Sequence, residues 1–168
     1  NVSRKHMNVK GTINNISLRC VRIEILAENT KAHLGFASGS LCKFKGKIFL
    51  VTNWHVFSGK HFQTNEIVHH SGTIPGFFKI EFHAIRKPTK DIFQHDEGEI
   101  NVDLYESIIE NGNEIYTDNP KYLIHPIHKH EVDVAAIELT KVFQENPEIN
   151  IELFDIENGL TDKPLSVM

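Results

Sequence analysis

Residues 49–57 read Phe-Leu-Val-Thr-Asn-Trp-His-Val-Phe. The stretch begins as an apolar run and ends by delivering a histidine, His55, to the end of what reads as a strand. Immediately upstream, residues 41–44 and 47–52 are two short strand-like runs joined by Lys45-Gly46, and a hairpin is expected there. Residues 17–27, Ser-Leu-Arg-Cys-Val-Arg-Ile-Glu-Ile-Leu-Ala, alternate apolar and polar over much of their length, the period of a half-buried strand. Phe77 to Ile85 reads the same way, with Phe78, Ile80 and Phe82 on one face. Residues 99–106 and 121–124 are weaker strand candidates, and Val134 to Leu139 is a short apolar one. Many short strands separated by turns point to an all-β chain, an antiparallel sandwich or barrel.

Two stretches read as loops. Residues 58–76 hold glycines, a proline and the pair His69-His70, and residues 110–120 are turn chemistry almost throughout. Loops of this kind often carry binding specificity. The acidic stretch from Lys141 to Leu160 is expected to be a short helix, a connector, or both.

Size and charge bound the function. A chain of 168 residues suits one domain or a domain plus part of a second, and 40% hydrophobic residues suffice for a core. The net charge of −4 is made of mixed signs, which argues against a nucleic-acid partner, since phosphate binding needs clustered Lys and Arg. The cluster Lys43-Phe-Lys-Gly-Lys47 is expected to be a solvated turn. No apolar run is long enough for a membrane span. Position 1 is Asn, and the charges of Asn1-Val-Ser-Arg-Lys-His have no apolar signal region behind them, so the chain is expected to begin downstream of a natural start. Cys20 and Cys42 both sit in strand-like stretches; two buried free thiols are expected, and they lean towards a reducing, cytoplasmic compartment.

The candidate chemistry is a pair. Imidazole ordinarily titrates near neutrality and can accept and return a proton, and a strand end holds such a ring on a rigid sheet. Asp133, at the mouth of the apolar run 134–137, supplies a carboxylate able to take the second ring N–H, fix the tautomer and stabilise the imidazolium. His55 and Asp133 are therefore the catalytic candidates. No cofactor is implied.

Gly39, the run Lys45-Gly-Lys-Ile-Phe-Leu-Val-Thr-Asn-Trp-His-Val-Phe, then Leu123-Ile-His-Pro and Val132-Asp-Val-Ala-Ala-Ile together resemble the trypsin-like (chymotrypsin-fold) serine peptidases. The nearest likeness is to the bacterial trypsin-like peptidase domains, which carry Leu-Val-Thr-Asn-x-His-Val at the catalytic histidine. The resemblance spans roughly residues 35–140 and keeps the order His then Asp. It implies an antiparallel Greek-key β-barrel, the first of two, with His55 as general base and Asp133 as its orienting carboxylate. Residues 1–15 would be an N-terminal extension, 16–145 the first barrel, and 146–168 a connector towards a missing second barrel. The implied partners are a protein or peptide substrate and that C-terminal barrel.

The family's nucleophile lies in a Gly-x-Ser-Gly motif well after the aspartate, and nothing after Asp133 matches it; the late Ser166 lacks flanking glycines. Residues 37–40 read Ala-Ser-Gly-Ser where the family often has a Gly-Thr-Gly-Phe type turn, and Val56 stands where animal relatives have a cysteine. Ser38-Gly39 is expected to be a structural turn. The chain alone is thus expected to be inactive, with the serine outside it, and an uncovered barrel face is expected to favour a dimer or aggregation. Two alternatives stay open: a non-catalytic, protease-like module that binds proteins, and a metal-dependent hydrolase on His125, His128 and His130 with Glu131, in which an extended chain would aim His128 and His130 to one side. The expectation for metal is none, with these histidines and His69-His70 in solvated loops. Trp54, the one Trp, is expected to pack in the core.

Overall fold

The computed structural model describes residues 3–7, 17–28, 30–85, 95–147, 149 and 151–158. The strands are β1 (Ser3–Met7), β2 (Cys20–Ala27), β3 (His33–Phe44), β4 (Lys47–Thr52), β5 (Pro75–Ile85), β6 (His95–Asp103), β7 (Tyr105–Glu110), β8 (Asn113–Pro120), β9 (Tyr122–Ile124), β10 (Ala135–Glu138) and β11 (Phe154–Asp155). A 3-10 turn (Ser17–Arg19) and two α-helical turns, α1 (Trp54–Ser58) and α2 (Thr140–Gln144), interrupt them among the described residues. The chain is all-β and mostly antiparallel. The main sheet runs β1-β6-β5-β2-β3-β4-β10-β9, with β11 pairing parallel to β3, and β7-β8 form a separate hairpin. No helix among the described residues is long and apolar enough to cross a membrane.

Alternation decides which face is buried. On β5, Phe78, Ile80 and Phe82 point inward, as their spacing predicts; on β2, Val21 and Ile23 do the same. Leu41 and Leu50 face each other across the β3–β4 hairpin, both fully buried. That hairpin turns on Lys45-Gly46, with φ 48° and 75°, the left-handed pair that matches strand twist. Phe57 on α1 stacks with Phe78 of β5 at 5.0 Å and with Tyr122 of β9 at 4.9 Å. Strands from distant parts of the path thus meet one ring, so the sheet curls around a single core. The path itself is open: β1 and β9 lie at its two ends, and no closed barrel is found among the described residues.

Several expectations change. Residues 113–120, read as loop, form β8, because Asn111-Gly112 adopts the same left-handed turn (φ 51° and 80°) and folds the chain back on β7. Ser38-Gly39 is not a turn but lies within β3, where the strand passes from pairing β2 to pairing β4. A Cβ on Gly39 would stand 2.6 Å from Leu50 Cδ1 and 3.0 Å from Ile23 Cδ1, so a larger residue at the crossing would push these core side chains aside. Cys42 is a buried free thiol, held up in pKa by desolvation, but Cys20 is exposed. The segment set apart as an N-terminal extension supplies β1, which pairs with β6, and the segment read as connector supplies β11 on β3. Ser166 lies outside the described residues.

Candidate active site

Strand pairing builds the site. β10 pairs with β4 so that Ala135 faces Thr52 and Ala136 faces Val51. Continued past the strand ends, that register sets Asp133 across from the start of α1. A tight turn, Val134 N–H donating to Val132 O at 2.7 Å, aims the aspartate at the helix. Buried Thr52 donates its hydroxyl to Ser38 O at 2.8 Å and fixes the end of β4 on which α1 is mounted.

His55 and Asp133, 78 positions apart in sequence, meet side chain to side chain, with Nδ1 and Oδ2 at 2.7 Å. An ionised carboxylate only accepts, so the ring proton sits on Nδ1 and Nε2 is the nitrogen left for other work. Asp133 Oδ1 accepts the backbone N–H of His55 at 3.0 Å. Asn53 donates Nδ2 to Asp133 O at 3.1 Å and to Oδ2 at 3.2 Å. The aspartate side chain is 20% exposed and the imidazole 45%, an arrangement with a sheltered carboxylate and an accessible ring. Burial opposes the charge on Asp133. The N–H bonds from the His55 backbone and ring, the imidazole's charge and the Asn53 amide outweigh it, and the carboxyl is held below its usual range.

Beside the ring opens a cleft of about 590 Å³ whose walls include His55, Ile25, Phe36, Val56, Val68 and Pro75. No Asp, Glu, Lys or Arg lines it; its polar side chains are Ser38, Asn53, Thr73 and the histidines 55, 69 and 70. Among the described residues, no hydroxyl or thiol is hydrogen-bonded to the His55 ring, so the dyad has no nucleophile attached.

The other candidates separate. Residues 125–131 form a turn rather than an extended run, with His125 bridged to Lys129. His125 Nδ1 accepts the N–H groups of Ile127 and His128, at 3.3 and 3.0 Å, which commits that nitrogen to the turn. His130 swings the other way and packs on buried Trp54, ring centroids 5.4 Å apart. Among the described residues no three His, Cys, Asp or Glu side chains converge as a metal ion requires. His69 bonds Ser71 Oγ at 2.7 Å within its own turn.

Asn53 is the site residue that reasoning from sequence passed over. Its signal was available: an amide inside an otherwise apolar run, two positions before the histidine. Compared with family models, curated proteins and solved structures, the chain matches none.

Proposed function

We propose that the chain is the general-base half of a trypsin-like serine endopeptidase. The observation that carries this reading is the 2.7 Å contact between His55 Nδ1 and a buried-side carboxylate, with the ring at the mouth of an uncharged cleft. In this reading the curled sheet is the first Greek-key barrel of a two-barrel fold, residues 16–145, and 146–168 lead towards the second. A serine contributed from outside these residues gives its hydroxyl proton to His55 Nε2 while its oxygen attacks the peptide carbonyl carbon. The imidazolium, stabilised by ionised Asp133, returns that proton to the leaving amine, and an acyl-enzyme remains. Water then repeats the sequence and frees the acid. The lining of the cleft suits an apolar side chain next to the cleaved bond.

The test uses the protein encoded by the whole open reading frame. Hydrolysis of a quenched fluorescent peptide library is expected, with a loss of about 10⁶ in kcat for His55→Ala. A serine outside residues 1–168 should be labelled by a fluorophosphonate. Peptidase activity that survives His55→Ala, or an open reading frame with no such serine, overturns the proposal.

The second reading, a protein-binding module without catalysis, is favoured by one observation. On the solvent face of β3, β4, β9 and β10, Phe44 and Leu123, with Ile156 just after β11, are apolar and 40, 59 and 53% exposed. That reading expects no labelled serine and no effect of His55→Ala on partner binding.

A further inference from the structure

The geometry points to Asn53 as the positioning residue of the dyad: its amide sets the rotamer of Asp133, and through Asp133 the tautomer and orientation of His55. The inference rests on the reading of His55 as general base. Asn53 holds the position before the first helical residue of α1, with φ −68° and ψ 145°, where an Asn side chain ordinarily accepts an N–H from the first turn. It makes no such bond. Asp133 takes over that duty from across the sheet, its Oδ1 accepting the His55 N–H at 3.0 Å. The displaced amide turns outward and spends both Nδ2 protons on Asp133, one on the main-chain carbonyl and one on Oδ2.

The orientation of the amide is not arbitrary. Both neighbours of Nδ2 are oxygens that only accept, so the NH₂ end and not the carbonyl end must face them. Binding main chain and carboxylate of one residue with one rigid amide restricts rotation about both side-chain bonds of Asp133. Oδ2 is then held where the ring N–H meets it. An alanine at position 53 keeps the helix start but frees the carboxylate to rotate towards solvent. Serine keeps a side chain favoured at that position yet has no second donor and too short a reach.

The test reads the ring, not activity. Chain labelled with ¹⁵N-histidine is compared by NMR at neutral pH as wild type, Asn53→Ala and Asn53→Ser. Wild type is expected to show His55 almost wholly protonated on Nδ1. Both variants are expected to shift towards the tautomer mixture of free histidine, by at least a third of the population, while remaining folded by amide dispersion. Serine, as a good capping residue, guards against a variant that fails to fold. A purely structural Asn53 would lower the unfolding midpoint and leave the ring shifts of the folded state unchanged; that result overturns the inference. The two proposals fail separately. A tautomer shift in a whole protein that hydrolyses nothing refutes the peptidase reading and supports Asn53, whereas full hydrolysis with unmoved ring shifts does the reverse.

Discussion

At the junction of α1 and β10, a carboxylate, an imidazole and an amide hold one another by hydrogen bonds of 2.7 to 3.2 Å. On the solvent face of the same sheet, Phe44, Phe49, Val51, Leu123, Ala136 and Ile156 surround an apolar hollow of about 340 Å³. Strands β4 and β10 serve both regions, because alternate residues of a strand point to opposite sides. The difference shows how cost is distributed. Polar groups taken from water must find partners or lose stability. Apolar groups left in water cost little individually but make a surface that other surfaces adhere to. The first region therefore responds sharply to single-atom changes, and the second responds mainly in association.

Four experiments break or sharpen that contrast. The largest effect is expected from Asp133→Ala, which strips α1 of its cap, leaves the His55 N–H without its acceptor and leaves the Asn53 amide only the main-chain carbonyl. Urea unfolding should show a loss of about 2 kcal/mol. Asp133→Asn retains an oxygen for the cap and should cost less than half of that; under the proposed peptidase reading it should also lower the whole protein's kcat by about 10⁴, as an amide imposes the wrong ring tautomer.

The next effect is in acid. Because the folded carboxyl of Asp133 is held below its ordinary value, its contribution is fully present above that value, about 3.8, and is lost as pH falls through the lower folded value. Acid unfolding followed by circular dichroism should therefore be shallower below about pH 4 in Asp133→Asn than in wild type; curves of identical slope would mean that the pairing adds nothing. A smaller effect is expected at the apolar face. Leu123→Glu should weaken self-association about tenfold in sedimentation, equivalent to about 1.4 kcal/mol, with the unfolding midpoint hardly moved. Least of all is expected from Arg22→Ala. It breaks a pair in which one guanidinium nitrogen meets both oxygens of Glu81 at 2.8 and 3.0 Å and removes the guanidinium from over the Phe36 ring at 3.7 Å; the ion pair is solvated, and a change of about 1 kcal/mol is the most that calorimetry should find.

Sequence made some of this legible because side-chain period and burial agree. β2, β5 and the β3–β4 hairpin carry clear alternation or a turn pair, and each appears where expected. Even the exposure of Cys20 was encoded in the alternation: odd-numbered Val21 and Ile23 face inward, so even-numbered Cys20 turns out. Cys42 could not be placed that way, since β11 lies alongside it and pairs Phe154 with it from far along the chain. β8 escaped notice for a different reason. Asn-Glu-Ile-Tyr-Thr-Asp-Asn-Pro is polar and mostly exposed, and only pairing with β7 makes it a strand. At the site, the order of His55 and Asp133 was readable as motif. Asn53 stood out locally as an amide in an apolar run, but its partner could not be read, because the β4–β10 register chooses it.

The cap on α1 has a consequence in time. A helix of five residues cannot hold itself together, as its nucleation outweighs the few bonds it forms. Its cap arrives 78 residues later, and closing a loop of that length costs about 4 kcal/mol of chain entropy, which the pairing of β10 with β4 must offset. During synthesis His55 leaves the ribosome long before Asp133 does. Until the later strand docks, the nascent chain carries a histidine with neither a fixed tautomer nor a helix to sit on. The order of translation thus leaves His55 without its carboxylate until most of the sheet exists around it.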